Sequence, residues 1–181
     1  MNPSGAAAGG SGMNPSGTDQ RSRLLAGKHA LVTGGSRGIG AAVTRALLAH
    51  GARVTMLGRD EKTLAEAMRA AAEFSELSYT VADISDANAV RDAFDAARER
   101  FGRIDILVNN AGQASSAPFL KTDWELWRRM LAVNLDGTFH CTQAALPGML
   151  EAGWGRVVNM ASTAGLADTA TSRPTAPQST Q

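Results

Sequence analysis

The sequence predicts an α/β protein, a doubly wound parallel sheet with helices on both faces. Three observations carry the prediction. From Leu24 onward, short apolar runs alternate with stretches of helical periodicity, the pattern of strands joined by crossover helices. The connections are short, which with right-handed crossovers favours a doubly wound order. One apolar run, His29-Ala30-Leu31-Val32, breaks into the turn Thr33-Gly34-Gly35-Ser36-Arg37-Gly38-Ile39-Gly40 and re-enters as a helix.

The elements follow in chain order. The first strand covers 29–33, and the helix over 39–50 sets Val43, Ala46, Leu47 and Leu48 along one face, with Gly51 as its stop. Arg53-Val54-Thr55-Met56-Leu57 makes a second strand over 53–57. Asp60 then caps a helix over 61–74, with Glu61 in its first turn. A third strand over 77–82 leads to a helix over 86–101. Ile104-Asp105-Ile106-Leu107-Val108 forms a fourth strand over 104–108. After a loop at 109–121, one long helix runs from about 122 to 151 and delivers a fifth strand at 155–160. The expected strand order is 3-2-1-4-5, and the sixth and seventh strands that usually complete such a sheet have no sequence here.

Composition narrows the function classes. The 181 residues, 44% of them apolar, suit one domain with a core of its own. A formal charge of +1 and the lack of a basic stripe interleaved with aromatics argue against nucleic acid as a partner. No apolar run reaches the roughly 18–20 residues that span a bilayer, and no secretory leader opens the chain, so neither membrane nor export is expected. The single cysteine, Cys141, excludes an intrachain disulfide and fits a reducing, cytoplasmic location. Residues 1–23 are rich in Gly, Ala, Ser and Pro and twice read Met-Asn-Pro-Ser-Gly, at 1–5 and 13–17; they are expected to be a disordered leader.

The chemistry concentrates at strand ends. A strand that breaks at glycines before a helix turns backbone N–H groups outward at a positive dipole end, and glycine lets a pyrophosphate approach the main chain. Gly34, Gly38 and Gly40 follow a G-x-x-x-G-x-G spacing rather than the commoner G-x-G-x-x-G. Asp83-Ile84-Ser85-Asp86 follows the third strand, where a carboxylate can accept from an adenine amine. Asn109-Asn110-Ala111-Gly112 follows the fourth, Asn134 lies inside the long helix, and Ser162 stands at the carboxyl end of the fifth. That edge is where doubly wound sheets place ligands.

With these motifs in this order, the sequence resembles the short-chain dehydrogenase/reductase family over about residues 25–166. The resemblance implies a Rossmann-type fold and hydride transfer between a nicotinamide cofactor and a small alcohol or carbonyl substrate. By family role, Gly34, Ser36, Arg37, Gly38, Ile39 and Gly40 line the cofactor phosphates. Asp83 and Ile84 hold adenine, and Asn110, Ala111 and Gly112 flank the ribose. Asn134 anchors a proton-relay water, and Ser162 orients the substrate oxygen. Plainer readings stand beside these: Asp83 as a cap for the helix near Asp86, Asn134 as a satisfied core amide, and Asn109 and Asn110 as supports of strand-end backbone. His29, His50 and His140 lack metal-ligand spacing and read as structural. Cys141 reads as a buried small apolar residue, and Trp124 and Trp127 as core or dimer packing.

Cofactor choice follows from the end of the second strand. An NAD enzyme usually carries a carboxylate there for the ribose 2′-hydroxyl. Here Gly58 leaves room and Arg59 supplies a forked donor for a 2′-phosphate, with Arg37 adding charge. NADP(H) is therefore expected, with NAD(H) possible. Asp60 is also placed to pair with Arg59.

The catalytic half departs from the family pattern, which places a tyrosine thirteen residues after the serine and a lysine four beyond it. Those positions hold Thr175 and Ser179; the one tyrosine is Tyr79, and no lysine follows Lys121. A threonine hydroxyl is a far weaker acid than a phenol, so the chain as written is expected to be inactive. Residues 167–181, with Pro174 and Pro177, read as an irregular tail outside a partial domain over 24–166. Codons compatible with 169–181 read, one frame over, as Gly-Tyr-Val-Ser-Ala-Tyr-Cys-Ala-Ala-Lys-His-Ala, with the second tyrosine and the lysine at the two required places. A frameshift near 166–169 is the reading this favours. The intact form is expected to be a homo-oligomer that pairs through the long helix, whose apolar face, with the open side of the fifth strand, would here be uncovered. The competing function is a catalytically silent cofactor-binding module or the partner of an intact relative. The substrate-side segment at 113–118 does not name a substrate.

Overall fold

The computed structural model describes residues 24–115 and 118–162. Its strands are β1 (His29–Thr33), β2 (Arg53–Gly58), β3 (Leu77–Val81), β4 (Ile106–Asn109) and β5 (Arg156–Asn159). They form one sheet in the order β3-β2-β1-β4-β5, every neighbouring pair parallel. In register, Ala30 faces Val54 on one side and Ile106 on the other. Every residue of β1 is buried, the signature of a strand covered on both faces.

The helices are α1 (Gly38–Ala49), α2 (Glu61–Arg69), α3 (Ala87–Phe101), α4 (Trp124–Leu131) and α5 (Gly137–Glu151). Aspartates start three of them. Asp60 accepts from the Thr63 N–H at the head of α2, Asp86 from Asn88 and Ala89 at α3, and Asp123 from Leu126 at α4. Side chains on the sheet alternate between two cores. Leu31 and Leu107 point to one that includes Phe94 of α3 and Cys141 and Ala145 of α5. Ala30, Val32, Val54, Met56 and Val108 point to the other, with Leu48 of α1 and Leu64 of α2.

Three elements differ from expectation by more than one residue at an end. The helix expected over 61–74 ends at Arg69, and residues beyond it continue as turns in which Ala71 and Phe74 bond back to Met68 and Ala71. The fourth strand starts at Ile106, not at 104, although the backbone of Asp105 already bonds to His29 and Arg156 and its carboxylate accepts from the His29 N–H and the Arg103 guanidinium. The long helix expected over 122–151 is broken by a π-helical turn over Ala132–Asp136 between α4 and α5. A π turn adds one residue to a helical circuit and leaves the apolar periodicity on either side intact, so it is invisible to a pattern search.

The outer side of α4 and α5 is apolar and bare. Trp124, Trp127, Leu131, Leu135, Phe139, Leu146 and Leu150 are all exposed. All four residues of β5, the edge strand, are exposed too. No helix among the described residues is long and apolar enough to cross a membrane.

Candidate functional site

A cleft of about 680 Å³ opens at the carboxyl ends of β1, β2 and β4. Thr33, the last residue of β1, organises its floor. Its hydroxyl accepts from the N–H groups of Asn110 (3.0 Å) and Ala111 (2.9 Å). The Asn110 amide donates to the carbonyls of Thr33 (3.0 Å) and Gly34 (3.3 Å), tying the loop after β4 to the glycine turn. The plainer expectation for Asn110, support of strand-end backbone, describes these contacts. For Asn109 that expectation is not what the contacts show: its amide donates to side chains, Asn159 Oδ1 of β5 (2.8 Å) and the Thr142 hydroxyl (3.2 Å).

The glycine turn delivers α1 into the cleft with a bare end. Arg37 is its N-cap, yet no side chain caps it, unlike the three aspartate-capped helices. Gly38, at φ +54°, has open space where a Cβ would stand, so an approaching anion meets main chain alone. At Gly40 the reason for glycine is packing. A Cβ there would lie 2.6 Å from the Asn110 amide nitrogen and closer still to the Gly34 carbonyl oxygen. Gly34, Ser36, Arg37, Ile39 and Gly40 all border the cleft. The uncapped N–H groups and the space beside Gly38 suit a phosphate, so the residues present fit the phosphate end of a dinucleotide.

Arg59, Asp83, Ile84, Ala111 and Gly112 border the same cleft. Arg59 pairs with Asp83, Nη1 to Oδ2 3.4 Å. The alternative pairing with Asp60 is not made; Asp60 caps α2 instead. Asp83 is likewise not the cap of α3, a place Asp86 fills; it accepts from the Ser85 N–H (2.9 Å) and hydroxyl (2.7 Å). Burial opposes its charge, but the Ser85 donors and the Arg59 guanidinium outweigh burial and hold its pKa below the ordinary carboxylate value. Ile84 is buried, and its carbonyl faces His140 Nδ1 at 3.1 Å.

Asn134 lies in the π turn and is exposed. Its amide clasps the backbone of Gln113 at both ends, accepting from the N–H and donating to the carbonyl, each at 2.9 Å. It is thus a satisfied amide, though at the surface rather than in the core. Ser162 is exposed, three residues past the end of β5. Thr175 and Ser179 lie outside the described residues. Among the described residues, no group of three or more His, Cys, Asp or Glu side chains is placed to hold a metal. Cys141 is buried, and burial pushes its thiol up to about 12.

Sequence reasoning missed one side chain here. With its amide oxygen turned to Arg59, Gln113 accepts from Nη2 at 2.6 Å and Nη1 at 3.1 Å. Its place directly after Asn-Asn-Ala-Gly was the available signal.

A family model described as short chain dehydrogenase matches residues 28–173, which take in every strand. The chain belongs to the short-chain dehydrogenase family. Among family members it is similar to D-beta-hydroxybutyrate dehydrogenase of Cupriavidus necator, with 42% identity over 144 residues, 79% of this chain and 56% of the relative. It is also similar to D-threitol dehydrogenase of Mycolicibacterium smegmatis, with 45% identity over 142 residues, 77% of this chain and 54% of the relative. Two solved structures are similar. One is a variant of actinorhodin polyketide ketoreductase with NADPH, at TM-score 0.77 and 34% identity over 81% of this chain and 58% of that one. The other is gluconate 5-dehydrogenase from Burkholderia cenocepacia J2315 in complex with NADP and tartrate, at 0.75 and 36% over 83% and 59%. The chain therefore spans little more than half the length of the curated relatives it matches.

Proposed function

We propose that residues 24–166 form the cofactor-binding part of an NADP(H)-dependent oxidoreductase acting on a small alcohol or carbonyl, in the cytoplasm and as a homo-oligomer in its intact form. The observation that carries this reading is the cleft itself, where an uncapped helix end and Arg59 border one cavity. When bound, the nicotinamide donates or accepts the hydride. The residues of the chain bind and orient. The turn at Gly34, Ser36, Arg37, Gly38, Ile39 and Gly40 receives the pyrophosphate, Asp83 and Ile84 the adenine, and Asn110, Ala111 and Gly112 the ribose. Ser162 orients the substrate oxygen, and Asn134 anchors a water.

Arg59 sets the cofactor preference. A charge-assisted contact to a 2′-phosphate is worth about 1.5–3 kcal/mol, but Arg59 already has Asp83 as a partner and sits near solvent, so the lower end applies. NADP(H) is expected to bind about tenfold more tightly than NAD(H). Isothermal titration with both cofactors checks this, and equal affinities would defeat it. Gly58→Asp with Arg59→Ile is expected to reverse the order.

A second reading rests on Thr175 and Ser179 standing where the family pattern has tyrosine and lysine. A chain without the phenol and its lysine lacks the proton donor, and would serve as a cofactor-binding module alone. Binding of NADPH without turnover of any carbonyl distinguishes it.

A further inference from the structure

We infer that Gln113 sets the cofactor affinity of this cleft by competing for it, bridging to Arg59 across the opening that a dinucleotide must enter. The inference rests on the cleft being a dinucleotide site, but not on which dinucleotide it prefers.

The geometry is topological. Arg59 follows β2 and Gln113 follows the Asn-Asn-Ala-Gly loop after β4. In the sheet order, β2 and β4 flank β1 on opposite sides. Neighbouring strands lie about 4.8 Å apart, so the strands that carry the two residues are about 10 Å apart. Between them β1 ends in the glycine turn and the bare end of α1. The two side chains close that distance, meeting at 2.6 and 3.1 Å. Both residues border the cleft, as do Ser36, Arg37 and Ile39 at the head of α1, so the contact spans the cavity into which the helix end opens. A ligand that reaches the helix end from the β2–β3 side, and extends toward β4 and β5, has to displace it.

Both ends of the bridge are set. Asp83 holds Arg59 from the β3 side at 3.4 Å, aiming the guanidinium along the strand ends. The Asn134 amide fixes the backbone of Gln113 through two hydrogen bonds, leaving its side chain to reach outward. A carboxamide oxygen accepting two N–H groups of one guanidinium occupies the donors that a phosphate would use. Breaking this contact is a cost shared by every dinucleotide, with or without a 2′-phosphate. A 2′-phosphate gives Arg59 a new partner afterwards; a 2′-hydroxyl does not.

The test uses the full chain and two probes, NADH and NADPH. Gln113→Ala leaves the Asn134 clasp intact, because that clasp holds backbone. It is expected to tighten both cofactors by a similar factor, about threefold to tenfold for one lost contact to a charged group near solvent. In an Arg59→Ala background the gain from Gln113→Ala vanishes. Weaker or unchanged NADH binding in Gln113→Ala overturns the bridge and makes Gln113 a cofactor contact or a bystander. Failure of Arg59→Ala to lower NADPH affinity relative to NADH overturns the 2′-phosphate reading and leaves the NADH test of the bridge standing. In the cofactor-free chain, a double-mutant cycle on the urea midpoint reads the pair directly. Non-additive shifts are expected, and strict additivity overturns the bridge whatever the cofactors do.

Discussion

His29 is wholly buried in β1, an uncommon place for an ionisable ring. Its Nδ1 meets the Gly102 carbonyl at 2.9 Å, and its Nε2 meets the Thr55 hydroxyl at 2.9 Å. The neutral ring with its proton on Nδ1 satisfies both partners. Burial lowers its pKa below 6.5, with the charge of Arg53 adding to the effect and the Gly102 carbonyl and Asp105 opposing it. The folded value is thus below the unfolded one, so the unfolded chain takes up a proton first. The stability that neutral His29 contributes is complete above pH 6.5 and falls as pH drops below it. Urea midpoints are expected to decline from pH 7.5 to pH 5.5, and His29→Gln is expected to flatten that part of the decline. An equal slope in the variant would remove the assignment. The sequence made His29 legible as structural because it lacks metal-ligand spacing. It left Gln113 unread, because that side chain works against a partner on another strand, and local pattern carries no record of such a meeting.

At the scale of elements, the central strands β1, β2 and β4 were legible because burial on both sheet faces demands continuous apolar runs. The strand order followed from short connections with right-handed crossovers. The caps Asp60 and Gly51 were legible for the same local reason: each answers groups within one turn of itself. The break between α4 and α5 was not. Leu131, Leu135 and Phe139 keep one exposed face through the π turn, so the row of apolar residues reads as unbroken. The turn shows itself only through Asn134, whose amide clasps the Gln113 backbone. Asn134→Ala removes both hydrogen bonds, and since water replaces part of each, the expected loss is about 1 kcal/mol. For a domain of this size that lowers the melting temperature by roughly 2–4 °C. Asn134→Asp keeps the acceptor but sets a carboxylate oxygen against the Gln113 carbonyl, so it is expected to lose at least as much as Asn134→Ala. Calorimetry checks the series, and an unchanged melt in Asn134→Ala would show that the clasp holds nothing.

For the whole molecule, the uncovered apolar row along α4 and α5 and the exposed edge of β5 mark a large surface suited to burial. The matched family stretch ends at 173, before the positions of Thr175 and Ser179. The nucleotide sequence tests the frameshift reading outright. Codons after Thr169 are expected to give tyrosine and lysine four apart when read one frame over, and the protein made from that frame should reduce a carbonyl with NADPH where the chain as written does not. Other codons there would end the idea. The bare end of α1 has a broader consequence. Three helices begin on a carboxylate that the chain itself provides, whereas α1 leaves its opening turn for an anion from solution. An anion that settles there acts as a missing side chain, one whose supply varies with the surroundings. At a hundredfold excess over its dissociation constant such a ligand adds about 2.7 kcal/mol to the folded state. On the proposed reading the persistence of this fold is coupled to the nucleotide pool around it, and a chain starved of its ligand is also a chain nearer to unfolding.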